Sequence, residues 1–278
     1  IQKKLGLIII ILSMVKKVFS IITVVLNAKK DLIETIESLR SQNFKNFEYI
    51  VIDGGSTDGT LEIIKKNLDI IDKWKSEKDK GIYDAMNKGI DLCQGNFIGM
   101  LNAGDKYTVN GLTIINNYFK NHNIDFIFGS VMKKVLRHGF RKYRIYWNFD
   151  FYSSHSSGFF IKKNSQNKLG KYKLKYKISS DYDLFYRMIV KEKMLGTSTK
   201  KDEIIGNFKS GTSYSSKFTF IEHLNEETQI RIDNNQNLLS ILMVYTTHYF
   251  KNIKKINKNN KLNFFINSIF NIFNKNIV

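Results

Sequence analysis

The stretch Val18–Leu26 (VFSIITVVL) decides the fold. It is rich in β-branched residues and nearly free of polar ones. Such a run predicts a strand buried on both faces, the kind found in parallel sheets. Just downstream, Asp31 is expected to cap a helix in which Leu32, Ile36 and Leu39 recur at helical spacing. A second buried run, Phe47–Ile52 (FEYIVI), ends at Asp53. Gly54, Gly55, Ser56, Thr57, Asp58 and Gly59 then form a tight turn into a helix at Leu61–Asn67. A helix around Tyr83–Cys93 and a buried strand at Asn96–Leu101 (NFIGML) follow. The order strand, helix, strand, helix, helix, strand predicts an α/β protein with a largely parallel sheet. Farther along, Asp125–Leu136 and Phe140–Trp147 read as strands joined by a turn at His138–Gly139. Asp181–Lys191 reads as a helix with Leu184, Met188 and Ile189 on one face.

The chain has 278 residues, enough for one substantial core plus an appendage. It contains no proline and carries a formal net charge of +19. The wealth of Lys, Asn, Ile and Phe points to AT-biased coding, which accounts for part of that charge. The rest favours anionic partners such as phosphates, nucleic acid or acidic lipid. Cys93 is the only cysteine, so no internal disulfide can form, which fits a reducing cytoplasm. No Cys/His cluster has zinc spacing. The apolar run Leu7–Ile11, extended through Val15, is too short to span a bilayer. Two readings stay open for residues 1–16: a signal-type apolar segment with no small-residue cleavage site, or an extraneous extension ahead of a start at Met14.

Open α/β sheets bind ligands beyond the carboxyl ends of their strands. Three polar clusters are expected at that edge: Asp53 with its glycine turn, Asp79 before Gly81, and Asn102-Ala103-Gly104-Asp105. A carboxylate at a strand end can accept hydrogen bonds from a ribose hydroxyl or a base N–H. Alternatively, Asp53 and Asp58 only cap turns. Asp105, in an otherwise uncharged turn, can hold a hard divalent cation, whose other ligands are water and substrate phosphates. The glycines do not form GxGxxG, and no GxxxxGK[ST] loop is present, so dinucleotide dehydrogenases and P-loop ATPases are unsupported. A nucleotidyltransferase lacks its Gly-rich N-terminal loop followed by Arg and Lys. No RNA-binding signature accompanies the basic residues, and no nucleic-acid partner is expected.

Five blocks, in order, resemble the inverting family 2 glycosyltransferases of the GT-A fold: Ser20–Asn27 (SIITVVLN), Tyr49–Thr60 (YIVIDGGSTDGT), Glu77–Gly89 (EKDKGIYDAMNKG), Leu101–Asp105 (LNAGD) and Ser179–Arg187 (SSDYDLFYR). The resemblance implies a Rossmann-like three-layer α/β fold of GT-A type with a mainly parallel central sheet. Asp53 and Asp79 match carboxylates that contact the nucleoside, usually uridine, and Asn27 sits where the first strand opens toward the nucleotide. Asp105 matches the last acid of the metal-binding motif, which implies a divalent cation, Mn²⁺ or Mg²⁺. Asp181 matches the catalytic base. His155, in HSSGFFIKK, matches a histidine that often precedes the acceptor region, where it lines the site or orients a phosphate; a surface role in a Ser-rich loop is the alternative. Two departures stand out. Gly104 replaces an acid of the metal motif, and Ser180-Asp181 replaces a Glu-Asp pair, which leaves Asp183 as a rival base.

The implied partners are a UDP-linked nucleotide-sugar donor and a saccharide or lipid-linked acceptor, in cell-surface polysaccharide synthesis. The competing reading is a GT-A-like scaffold at the membrane that binds nucleotide without transfer. Trp147 and Tyr152 are placed to stack on an acceptor sugar or to pack in the core. The basic strands around Arg137–Arg144 suit a diphosphate-lipid acceptor, a membrane or plain solvent. The expected organisation is an N-terminal extension at 1–16, a catalytic domain at 17–220 and a helical basic tail at 221–278. In that tail Leu262, Phe265, Ile266, Ile269, Phe273 and Ile277 form an apolar helical stripe behind Lys251, Lys254, Lys255 and Lys258. The stripe either lies on an anionic membrane surface or packs on the domain. A cytoplasmic protein, peripheral on the inner face of the plasma membrane, is the resulting expectation.

Overall fold

The computed structural model describes residues 17–147, 156–209 and 218–253. They divide into two compact units. The first comprises the described residues of 1–140, 153–171 and 195–209. Its elements run β1 (Phe19–Val25), α1 (Lys29–Arg40), β2 (Phe47–Asp53), α2 (Thr60–Lys66), β3 (Lys73–Ser76), α3 (Ile82–Leu92) and β4 (Phe97–Met100). Then follow β5 (Lys106–Tyr107), α4 (Gly111–Asn121), β6 (Phe126–Phe128), β7 (Ser130–Met132), β8 (Leu136–Arg137), β9 (Phe159–Lys162), α5 (Lys163–Leu169), β10 (Gly196–Ser198) and β11 (Ile204–Asn207).

Every residue of β1 and β2 is buried, as expected of strands covered on both faces. The main sheet has seven strands in the order β10-β6-β9-β4-β1-β2-β3. β4, β1, β2 and β3 are mutually parallel, and β9 runs antiparallel between β4 and β6. On one side, Leu32, Ile36 and Leu39 of α1 and Leu112 and Ile115 of α4 share a core with Phe19, Ile21, Tyr49 and Phe160. On the other, α3 packs Tyr83, Met86 and Ile90 toward β1 and β2. This is the α/β architecture that the buried runs predict, in the three layers that the family resemblance implies. A second sheet, β5-β11-β7-β8, stands beside it.

The chain runs β1, β2, β3 outward and then crosses back to place β4 on the far side of β1. The reversal makes a switch point between β1 and β4, and the loops leaving these parallel strands emerge along one edge.

The structure corrects three local expectations. Asp31 does not cap α1: Ala28 is the N-cap, and Asp31 sits in the first turn. Asp125–Leu136 is broken into β6, β7 and β8, and the hairpin turns at Lys133–Val135 rather than at His138–Gly139. Arg144–Trp147 forms a helical turn instead of a strand. Lys133-Lys134-Val135-Leu136 lacks a sustained alternation, so its side chains do not dictate one long strand.

The second unit comprises the described residues of 141–152, 172–194 and 210–278. It holds α6 (Ser180–Tyr186), which continues as a wider π turn over Arg187–Lys191, then α7 (Phe220–Asp233) and α8 (Leu238–Lys251). Thr219 and Glu222 form a reciprocal capping box at the start of α7, and the Asn237 side chain caps α8. Ile221, Leu224, Ile241, Tyr245 and Tyr249 make the core between those two helices. The proposed tail helix at 262–278 lies outside the described residues, as do His155 and Tyr152. Trp147 is 47% exposed and is not a core residue.

Candidate active site

Asp53 ends β2 and is fully buried. Its carboxylate accepts hydrogen bonds from the Ser56 backbone N–H and from the hydroxyls of Ser56 and Ser76, the latter at 2.6 Å. The Ser56 hydroxyl in turn accepts the Asn27 N–H at 2.7 Å, and Asn27 Oδ1 accepts the Thr57 N–H at 2.8 Å. Asn27 reaches this position in the left-handed region, with φ +48°, which asparagine tolerates better than most residues. Asp58 adds a further clip by accepting the Lys29 N–H at 3.1 Å. These bonds tie the loops after β1 and β2 into one rigid rim.

Gly54 leaves room for a second carboxylate on that rim. A Cβ at residue 54 would stand 2.4 Å from Asp79 Oδ2, so only glycine lets Asp79 lie directly against the backbone. Asp79 follows β3 and accepts the Gly81 N–H at 2.9 Å. Burial lifts its carboxyl above the ordinary value; the Gly81 N–H and Lys88 oppose that rise, while Asp84 and Asp53 add to it. The structure thus brings Asn27, Asp53 and Asp79 together, as their positions after successive parallel strands predict.

Asp105 sits in the loop after β4, on the other side of β1, and is 2% exposed. The loop stays alongside β1 through Leu101 N–H to Ile22 and Ala103 N–H to Val24. Thr35 of α1 holds the turn from below: its hydroxyl accepts the Gly104 N–H at 2.9 Å and donates to the Asp105 carbonyl at 2.9 Å. Asp105 Oδ1 accepts the backbone N–H of Lys209 at 3.1 Å. Burial pushes the Asp105 carboxyl up to about 8; the Lys209 N–H and Lys133 lower it, and Asp31 raises it.

Sequence reasoning missed Asp31 here. Its carboxylate lies 3.3 Å from where a Cβ on Gly104 would be, in the space that a side chain at 104 would take. No group of three or more His, Cys, Asp or Glu able to hold a metal exists among the described residues. Mg²⁺ and Mn²⁺ sites need less, since one or two carboxylates complemented by water and phosphate oxygens suffice. A buried carboxylate whose ionised form is disfavoured, with a second acid beside the same turn, fits such an ion.

In the second unit, Asp181 lies in the first turn of α6, and its Oδ1 accepts the Tyr182 N–H at 2.9 Å. Asp183 is fully buried and enclosed by donors: Lys173 Nζ at 3.0 Å, Arg187 Nε at 2.8 Å and Asn234 Nδ2 at 3.1 Å. It is a structural anion. Glu226 of α7 accepts the N–H groups of Lys177, Ile178 and Ser179 at 2.9, 2.7 and 2.6 Å, fixing the loop that leads into α6. Nothing local in the sequence announces that role.

Residues 20–194 match the profile of glycosyl transferase family 2, which spans all five blocks. A PGL/p-HBAD biosynthesis glycosyltransferase of Mycobacterium bovis (BCG) is 31% identical over 183 residues, covering 63% of this chain and 70% of its own. Among solved structures, S. aureus TarS 1-349 in complex with UDP-GlcNAc has a TM-score of 0.68 at 16% identity, covering 92% of this chain and 80% of that one. The mannosyltransferase PcManGT of Pyrobaculum calidifontis, in complex with GDP-Man and Mn²⁺, has a TM-score of 0.61 at 13% identity, covering 85% and 70%. The fold is that of GT-A glycosyltransferases, and the chain belongs to glycosyl transferase family 2.

Proposed function

We propose that this glycosyltransferase moves a sugar from a UDP-linked donor to a hydroxyl of a glycan or glycolipid, with inversion, in the synthesis of a cell-surface polysaccharide. The observation that carries this reading is the convergence of Asp53-Gly54, Asp79 and Asp105 along one sheet edge, after β2, β3 and β4. On the rim of Asn27, Asp53 and Asp79, the Asp79 carboxylate offers an acceptor for the nucleoside, while Asp53 contributes by holding Ser56 and Ser76 in place unless the ligand displaces one of those hydroxyls. A UDP-GlcNAc complex among the structural relatives supports the donor class.

Asp181 acts as the base: it takes the proton of the acceptor hydroxyl, whose oxygen attacks the anomeric carbon while the nucleoside diphosphate departs from the opposite face. That role rests on its match to the family's motif, and the enclosure of Asp183 by three donors supports it over its rival. A divalent cation, Mn²⁺ or Mg²⁺, held by Asp105 with Asp31 beside it, would offset charge on the leaving diphosphate. The test is a mass-spectrometric screen of transfer and donor hydrolysis against a panel of UDP- and GDP-sugars. Turnover of a UDP-sugar is expected. Nucleotide binding without turnover of any donor would favour the scaffold reading, which the missing acid at Gly104 recommends.

Gly54→Ala provides a local check. Its methyl would force the Asp79 carboxylate to swing away while the fold survives. UDP binding should weaken by about 1–3 kcal/mol, and Asp79→Ala should do the same. Calorimetric titration reads both, and unchanged affinity in each would remove Asp79 from the nucleoside site.

The C-terminal region is proposed to rest on the cytoplasmic face of an anionic membrane. No helix of the described residues is long and apolar enough to cross one. On α8, Leu239, Met243 and Phe250 are 72%, 60% and 57% exposed and share a face by their spacing. The lysines that follow would each add about 1 kcal/mol near acidic headgroups. Removal of residues 254–278 should lower binding to anionic liposomes at low salt and leave transfer to a water-soluble acceptor intact. Full-length protein that ignores such liposomes would refute the membrane reading.

A further inference from the structure

We infer that Lys209 is a phosphate-binding residue of the donor site, a cation built into the chain at the turn where the family's acidic motif has lost a carboxylate. This rests on the nucleotide-sugar reading above and adds to it a recognition element for the diphosphate.

Three observations fix the lysine at that place. Its backbone N–H donates to Asp105 Oδ1 at 3.1 Å, so its Cα is anchored to the acidic turn itself. Its ammonium donates to Asp31 Oδ1 at 2.7 Å, bridging a sequence separation of 178 residues. Its Cδ lies 3.0 Å from where a Cβ on Gly104 would stand, so the lysine stem crosses the ground that a side chain at 104 would occupy. Gly104 has φ +95°, a conformation that L side chains rarely adopt. The lysine stem and a side chain at 104 would therefore compete for one space. The strand leading to Lys209 is held as well: the Phe208 N–H donates to the Met132 carbonyl at 2.7 Å, and Lys133 lies 4.5 Å from the centre of the Phe208 ring.

The chemistry selects an anion as the ligand. The Lys209 side chain keeps 37% of its surface exposed, whereas Asp31 keeps 18%, so the lysine is the more accessible member of the pair. Asp31, with Glu34 near, holds the lysine charged. A compact ammonium on a flexible stem binds phosphate as a point charge. Fixing the stem beforehand lowers the entropy lost when the ligand arrives. Nucleoside and diphosphate then divide between two groups of residues: the rim of Asp53 and Asp79 for the former, and Lys209 beside Asp105 for the latter.

The experiment is calorimetric titration of the full chain with UDP and with uridine, both in excess chelator and with Mn²⁺. Lys209→Ala should weaken UDP by about tenfold or more in chelator and leave uridine unchanged, because only the diphosphate is charged. Lys209→Arg should restore most of the UDP affinity. UDP affinity unaltered by Lys209→Ala would overturn the inference. An equal loss for UDP and uridine would also overturn it, since that marks a strut of the turn. If the wild-type chain binds GDP in place of UDP, the same comparison is made with GDP and guanosine. A wild-type chain that binds neither diphosphate refutes the donor reading itself, a result distinct from tight wild-type binding indifferent to Lys209.

Discussion

Asp181→Asn should retain nucleotide binding and lose about two to four orders of magnitude in turnover, the usual contribution of a positioned base. The matching variant, Asp183→Asn, should behave differently. Asp183 is buried between Lys173 and Arg187, whose side chains keep 38% and 14% of their surface exposed. Neutralising it removes the anion that the poorly solvated Arg187 faces, and removal of one partner of a buried pair costs about 3–5 kcal/mol. The exposure of Lys173 puts the expected cost near the lower end, at about 3 kcal/mol, since water screens that half of the network. Asp183→Asn should therefore lower the melting temperature, while its turnover per folded molecule stays closer to that of the wild type. Asp181→Asn should melt near the wild-type temperature. The pair of measurements separates chemistry from folding. A variant at 181 that transfers sugar normally, beside one at 183 that is folded and inactive, would reverse the assignment.

How much of this was legible in the sequence depends on whether a residue's role is local. β1, β2 and β4 announce themselves because burial on both faces demands an uninterrupted apolar run. α1 and α3 show their apolar faces at helical spacing. β3 was invisible: Lys73-Trp74-Lys75-Ser76 is a short edge strand whose residues are half-buried or exposed, so nothing forces an apolar pattern on it. β9 was not expected: Phe159-Phe160-Ile161 is too short an apolar run to stand out, and its antiparallel insertion between β4 and β6 is a property of the whole sheet. The same division holds at the site. Asp53, Asp79 and Asp105 are foreseeable because strand ends at a switch point are where polar groups collect. Ser56 and Ser76, which occupy the Asp53 carboxylate, look like ordinary turn residues. Asp31 and Lys209 meet across most of the chain, and no spacing rule links them. Glu226 fixes the loop before Asp181 from 47 to 49 residues away.

Asp105 is where a change should reach furthest, because stability and activity oppose each other there. Burial raises its carboxyl from the ordinary 3.8 to about 8, so without a cation the folded chain holds a proton that the unfolded chain has already released. The sign follows from that difference. Between about pH 4 and pH 8 the folded state binds more protons than the unfolded state, and stability falls as pH rises through the window. Above about pH 8 both states are ionised and the slope vanishes. The accumulated loss is on the order of several kcal/mol. Asp105→Asn, which copies the neutral acid, should flatten this slope, so in chelator near pH 8 the variant should outlast the wild type in urea. Metal and proton compete for one carboxylate, so Mn²⁺ affinity of the wild type should climb about tenfold per pH unit up to about pH 8. In transfer assays the order reverses: Asp105→Asn and Asp105→Ala should lose both activity and its dependence on metal, since Asp31 alone is committed to Lys209. Urea melts at several pH values, with and without Mn²⁺, provide the first check, and assays in chelator provide the second. Wild-type activity undiminished by excess chelator would remove the metal role from Asp105. A wild-type urea profile as flat between pH 4 and pH 8 as that of Asp105→Asn would mean that water reaches the carboxylate and keeps it ionised.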